Sequence, residues 1–355
     1  MDTCISNLAI RGIATCLPGQ SYQIESFGDM FGHQEVKRIM KGTGVRKVHI
    51  APESICASDL CEAAAKRLLK QLHIEAVDID GVVFVSQTPD YIFPATSALL
   101  QHRLGLPASA VAFDINYGCS GYIYGLYQAS ILVAAGGCSR VLVLVGDTFT
   151  RLIHPGDRSM RMVMGDGAAA TLVEKGSDSL YFSIGTDGSG GDHIRIKAGG
   201  SRYPRTEETS NAYTDNDGNV RNDETVHMNG FKVMSFALTQ VPLTIDRVLA
   251  QASWPKDTVN LFALHQANEL MIEFLRKKIK VSKDVLPSTL QETGNTGPAS
   301  IPLMLSAIGD DFAEEKRKRS VPCGFGVGLS WGAVAADLSK TVILPTIYLD
   351  GSASL

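Results

Sequence analysis

The chain has 355 residues, 45% of them hydrophobic and 20% charged, with a formal net charge of −4. That is enough apolar material for an extensive core, which excludes a largely disordered chain, and the nearly balanced charge leaves no strong positive field to hold nucleic acid. No apolar run approaches the roughly 18 residues of a membrane span, and Asp2 stands where a secretion signal carries positive charge, so a soluble, cytoplasmic protein is expected. The length suits two domains or one large duplicated unit. Seven cysteines, an odd number with no CxxC pair, point to reduced thiols, and eight scattered histidines give no metal-binding spacing.

In chain order, 58–72 reads as an amphipathic helix opened by a Ser58 cap, and 81–86 and 110–115 read as short buried strands. Apolar residues cover most sides of a helix over 120–135, which Gly136 and Gly137 close, and 140–145 follows as a strand. Strand, buried helix, strand is the grammar of a sheet covered on both faces. The seam at 174–191 separates an N-terminal half, 1–178, from a C-terminal half, 179–355. The polar stretch 197–224 reads as a long surface insertion of the kind that borders binding sites. Beyond it come a strand (259–264), two helices (269–279 and 301–308), a strand entering a glycine-rich turn (320–325) and a strand-like end (337–348).

Four places along this frame carry chemistry. Cys119, in Gly118-Cys119-Ser120-Gly121, sits at a strand-to-helix turn, where the free amides of the helix N-terminus favour a thiolate and lower the thiol pKa. Read alone, it is as readily a small buried hydrophobe. His265, in Leu264-His265-Gln266-Ala267-Asn268, ends a strand and can project into a cleft, although a satisfied half-buried histidine is the commoner case. Asn295, in Gly294-Asn295-Thr296-Gly297-Pro298, reads on local context as a turn former. Gly324-Phe325-Gly326-Val327-Gly328 offers closely spaced amides suited to an oxyanion, and it is not a phosphate loop because no Gly-Lys-Ser/Thr follows.

Together, and in this order, these segments resemble the β-ketoacyl-acyl carrier protein synthase III family of the thiolase superfamily. The resemblance runs through nearly the whole chain, including Gly42-Thr43-Gly44-Val45-Arg46, Ser86-Gln87-Thr88-Pro89-Asp90 through Phe93-Pro94, Asp157-Arg158 and Gly165-Asp166-Gly167-Ala168. It implies an α/β protein with the thiolase-like five-layered αβαβα fold in two similar halves, acting as a homodimer. It further implies a decarboxylative Claisen condensation. Cys119 would take an acyl group from a coenzyme A or carrier-protein thioester. His265 and Asn295 would stabilise the enolate of a malonyl extender, and the backbone of Cys119, Gly326 and Val327 would form the oxyanion hole. Phe93 would come from the partner subunit to close the acyl pocket, and Arg158, Asn268 and Phe325 would contact substrate. The thioesters are substrates, so no cofactor and no metal is implied, and an acyl carrier protein is the expected macromolecular partner.

Several positions depart from the family pattern, and they concern the donor rather than the reaction. Arg38 stands where many members place an adenine-stacking Trp, Gly42 where an Arg precedes the TG pair, and Leu270 where a basic residue docks the carrier protein. Val327 replaces a glycine of the terminal loop. With the insertion, these substitutions suggest a specialised relative, in secondary-metabolite or glycan-acylation chemistry. The alternative is an acyltransferase that hands the Cys119-bound acyl group to a hydroxyl or amine without condensation.

Overall fold

The computed structural model describes residues 1–309 and 314–351, so residues 352–355, assigned above to the C-terminal half, lie outside the described residues. Its main elements are β1 (Asp2–Pro18), α1 (Ala57–Leu72), β2 (Gly81–Val85), α2 (Thr96–Arg103), β3 (Val111–Ile115), α3 (Gly121–Ala134), β4 (Arg140–Asp147) and β5 (Gly167–Thr186). They continue with α4 (Gly230–Ala252), β6 (Leu261–Leu264), α5 (Glu269–Ile279), α6 (Ser300–Ile308), β7 (Ser320–Gly326), β8 (Ser330–Ala335), β9 (Val342–Ile343) and β10 (Ile347–Leu349).

Two long strands organise the sheet. β1 and β5 run antiparallel, with an irregularity where Leu8 faces both Lys175 and Asp178. On one side of it, β4 borders the Gly167–Glu174 part of β5, followed by β2 and β3. On the other side, β8 borders Tyr181 to Thr186, followed by β7 and β6. The result is two five-stranded ladders, β3-β2-β4-β5-β1 and β6-β7-β8-β5-β1, that share their last two strands. β9 and β10 add to the free edge of β1 in parallel.

Strand alternation then assigns the layers. In β2, Val83 and Val85 pack in a cluster with Tyr122, Ile123 and Leu126 of α3 and with Ile301 and Met304 of α6. Val82 and Phe84 point the opposite way, toward Leu60, Leu68 and Leu69 of α1. In β6, Leu261 and Ala263 join the α3/α6 cluster, whereas Phe262 and Leu264 meet Val241 and Ile245 of α4 and Leu275 of α5. Helices α3 and α6 therefore form a buried middle layer between the two ladders, with α1 and α2 outside one and α4 and α5 outside the other. Each fully buried Leu, Ile or Val contributes about 1.5–3 kcal/mol of transfer free energy, which is why α3 and α6 are apolar on nearly every side.

Two local readings change, both at the first helix. The first helix opens one residue earlier than expected and is capped by Cys56, not Ser58: Cys56 has extended backbone, and its N–H donates to Asp59 Oδ2 at 2.7 Å. Ser58 is buried inside the helix and donates to Asp90 Oδ2 at 2.7 Å. The 197–224 insertion is folded. Arg221 pairs with the buried Asp157 at 2.8 Å, Lys197 with Asp223 at 2.7 Å, and Thr209 Oγ1 donates to Glu224 at 2.7 Å. Among the described residues, no helix is long and apolar enough to cross a membrane.

Candidate active site

The two ladders bring their strand ends together around one cavity of about 260 Å³, lined by Cys119, His265, Asn295, Asn268, Phe325 and Gly326 with a methionine-rich wall that includes Met160, Met164, Met234 and Met271. Residues far apart in sequence meet there because β3, β6 and β7 all end at this edge.

Cys119 lies in the turn between β3 and α3, two residues before the helix begins. Gly121 N–H donates back to Gly118 O at 2.7 Å, and Ser120 Oγ is 2.6 Å from Ser330 Oγ of β8, which fastens the turn to the other half. The end of β7 passes directly over the thiol. A Cβ on Gly326 would sit 2.8 Å from Cys119 Cβ and 3.1 Å from its sulfur, so only glycine lets this strand approach. Burial pushes the Cys119 thiol up to about 12, the nearby Asp147 charge adds to the rise, and the residue's own N–H, which points at the sulfur, works against both. The direction is opposite to the lowered thiol pKa expected from the turn: burial raises it, and the residue's own N–H opposes the rise.

His265 is 2% exposed, and its ring stands edge-on to Phe325 with centroids 5.5 Å apart. Burial lowers its pKa to about 3, which keeps the imidazole neutral at physiological pH. Its tautomer follows from its neighbours. Ser300 Oγ accepts the Gln266 N–H at 3.4 Å and lies 2.6 Å from His265 Nδ1, and we assign its hydroxyl proton to the bond with that nitrogen. The ring proton then sits on Nε2, and the imidazole is a donor.

Asn295 is oriented the same way. Its backbone N–H donates to Val163 O at 2.8 Å, its carbonyl accepts from Gly165 N–H at 3.0 Å, and its side-chain Oδ1 accepts from Gly297 N–H at 3.0 Å. With Oδ1 committed, Nδ2 carries the free donors. Two neutral, buried N–H donors and one thiol thus line a cavity whose walls are otherwise largely apolar.

The remaining expected residues are placed unevenly. Asn268 lines the cavity and also caps α5, accepting from Met271 N–H at 2.8 Å. Phe325 lines it; Val327 lines a second chamber of about 40 Å³ beside it that also contains Cys119 and Asn295. Arg158 is taken up by Glu35, 3.5 Å away, and by the Asp217 carbonyl of the insertion, and it is not part of the cavity wall. Phe93 is 83% exposed beside Tyr91 and Ile92 and does not reach the cavity of its own chain. Arg38 forms a bidentate pair with Glu35 on the surface. Sequence reasoning missed Ser300 and Asp147; nothing in the spacing of either shows that it stands beside His265 or Cys119.

A five-layered pair of sheet ladders with a thiol, a neutral imidazole and a carboxamide around one cavity defines a thiolase-fold condensing enzyme. Residues 113–188 match the family described as 3-oxoacyl-[acyl-carrier-protein (ACP)] synthase III, and residues 249–338 match its C-terminal domain. A beta-ketoacyl-[acyl-carrier-protein] synthase III of Caldanaerobacter subterraneus subsp. tengcongensis is 34% identical, covering 84% of this chain and 88% of its own. The crystal structure of a 3-oxoacyl-(acyl-carrier protein) synthase from Burkholderia xenovorans superposes with a TM-score of 0.92 at 34% identity, covering 98% of this chain and 99% of that one. The priming beta-ketosynthase of the R1128 polyketide biosynthetic pathway superposes with a TM-score of 0.79 at 25% identity, covering 96% and 97%. The chain belongs to the 3-oxoacyl-[acyl-carrier-protein] synthase III family, whose members are acyl-transferring condensing enzymes.

Proposed function

We propose that the protein joins an acyl thioester to a malonyl-type thioester by decarboxylative Claisen condensation through an acyl-Cys119 intermediate. Supporting this reading above all is the pair of neutral donors, His265 Nε2–H and Asn295 Nδ2–H, in the same cavity as the Cys119 thiol. In the first half-reaction the Cys119 sulfur attacks the donor thioester carbonyl, its proton passes to the departing thiol, and the oxyanion is met by the amides of Cys119 and of the Gly326–Val327 turn. Because the resting group is a thiol, proton loss accompanies attack, and the free amides at the start of α3 stabilise the negative sulfur as it forms.

In the second half-reaction the malonyl thioester carbonyl lies against His265 and Asn295. Its carboxylate leaves as carbon dioxide, the electron pair becomes an enolate whose oxygen takes both N–H bonds, and the enolate carbon attacks the acyl-Cys119 carbonyl. Cys119 thiolate departs, is reprotonated, and a 3-oxoacyl thioester leaves. Each preorganised donor of this kind contributes about 100- to 1000-fold in rate. A neutral imidazole suits the step because it donates without adding a buried charge.

Leu270, 47% exposed, and Arg38, held by Glu35, favour a specialised donor over the usual starter, in the manner of a polyketide-type priming enzyme. The exposed run Tyr91, Ile92 and Phe93 suits burial in a homodimer, with Phe93 reaching the partner's acyl pocket. Intact-mass measurement after exposure to acyl thioesters, followed by carbon dioxide detection on adding malonyl-coenzyme A, tests the reaction. Acyl transfer to an added alcohol or amine with no carbon dioxide would replace condensation by simple transfer.

A further inference from the structure

Asp147 closes β4 beside the thiol. It is 1% exposed. Its Oδ1 accepts from Ser86 Oγ at 2.8 Å, Gln87 N–H at 2.7 Å and Thr88 Oγ1 at 3.1 Å, which holds the turn after β2. Its Oδ2 is buried with no hydrogen-bond partner. That oxygen faces Gly297, 3.2 Å from where a Cβ on Gly297 would sit, and Asp147 lines the 40 Å³ chamber together with Cys119, Gln87, Met160 and Val327. A buried carboxylate oxygen without a partner is costly, and an alkyl chain placed against it leaves the cost unrelieved.

Resting on the condensation reading above, we infer that this chamber is shaped for a short acyl group carrying a hydroxyl on its third carbon, with Asp147 Oδ2 as the hydroxyl's hydrogen-bond partner. The chamber has room for only a few heavy atoms beyond the thioester carbonyl, which fits a four-carbon acyl group and excludes a long chain. Burial raises the Asp147 pKa to about 7, against the pull of its Ser86, Gln87 and Thr88 bonds. In the carboxylate form Oδ2 accepts from the hydroxyl, which an amide nitrogen in its place could not do. Most other walls of the chamber are apolar and Asp147 is the one carboxylate among its lining residues, so it discriminates between acyl groups of equal length.

The test is the rate at which Cys119 gains acyl mass from butyryl-coenzyme A and from each enantiomer of 3-hydroxybutyryl-coenzyme A. The wild-type protein should take one hydroxy enantiomer about tenfold faster than butyryl, the scale of one hydrogen bond to a charged group. Asp147→Asn keeps an acceptor for the turn after β2 and removes the charged oxygen, and it should lower that ratio at least about fivefold. A merely structural carboxylate would slow all three donors alike and leave the ratio unmoved, which overturns the inference. Should the variant fail to fold, the wild-type ratio still decides, since equal or slower acylation by both hydroxy enantiomers is also contrary. Carbon dioxide release from butyryl-loaded enzyme and malonyl-coenzyme A separates the two claims: with release intact and no hydroxyl preference, only the chamber assignment falls.

Discussion

Removing the Ser300 hydroxyl tests the electrostatic design of the site without touching either reacting group. In Ser300→Ala the His265 Nδ1, in a ring 2% exposed, loses a partner at 2.6 Å. Either Nδ1 stays unsatisfied, or the proton moves to it and Nε2 stops donating. An unmet buried polar atom costs about 1–3 kcal/mol, which is about 5- to 150-fold in rate where the ring must donate to an enolate. The assay is a single turnover: Cys119 is loaded from an acyl thioester, malonyl-coenzyme A is added, and carbon dioxide release is timed. Loading itself, which does not use the imidazole N–H, should fall far less than release. Ser300→Thr, which restores the hydroxyl, should recover most of the loss. Unchanged release in Ser300→Ala, or loading and release falling by the same factor, would refute the argument that Ser300 sets the histidine's donor tautomer.

Gly326→Ala forces a methyl group to within 2.8 Å of Cys119 Cβ, so the variant should lose about 1–3 kcal/mol in thermal or denaturant unfolding and load Cys119 about 100-fold more slowly; loading at the wild-type rate would show that the turn is not held against the thiol. The pH dependence of stability carries two opposed contributions. His265, lowered to about 3, stabilises fully above its unfolded value near 6.5 and loses that contribution as pH falls toward 3. Asp147, raised to about 7, stabilises fully below about 3.9 and loses its contribution as pH rises toward 7. Between about pH 4 and 6.5 their slopes nearly cancel, at most about 1.4 kcal/mol per pH unit each, so in His265→Gln stability should fall more steeply with rising pH than in the wild type; urea titrations at pH 4.5, 5.5 and 6.5 read this directly. Arg221→Ala strips the buried Asp157 of its ion-pair partner and should cost about 3 kcal/mol, with proteolysis appearing first in the 197–224 segment.

Much of the fold was legible because buried strands and the middle-layer helices are short and uniformly apolar: 81–86, 140–145 and 301–308 fall on β2, β4 and α6 within a residue or two. The two longest strands were not legible. β1 and β5 are interrupted by exposed polar residues near Ser6 and Lys175, where the chain passes from one ladder to the other, and no single period survives that passage. Helix α4, with Pro242 inside it, also gave no clean pattern. The ordered set of motifs around Cys119, His265 and Asn295 was visible as residues, whereas their protonation states were not. A thiol at a helix start reads as acidic until the surrounding layers are in place, and their burial of it raises the pKa instead. Ser300 is 35 residues from His265, and Asp147 is a lone acid at a strand end, so neither contact has a local signature.

The central claim is that acyl-Cys119 is consumed by carbon–carbon bond formation. It is tested most directly by loading the protein with an acyl group of known mass, adding malonyl-coenzyme A, and measuring protein mass, carbon dioxide and product together. The account predicts loss of the acyl mass from Cys119, with one equivalent each of carbon dioxide and of the 3-oxoacyl thioester. Loss of the acyl group to water, an alcohol or an amine with no carbon dioxide, or an acyl mass that persists, would contradict it.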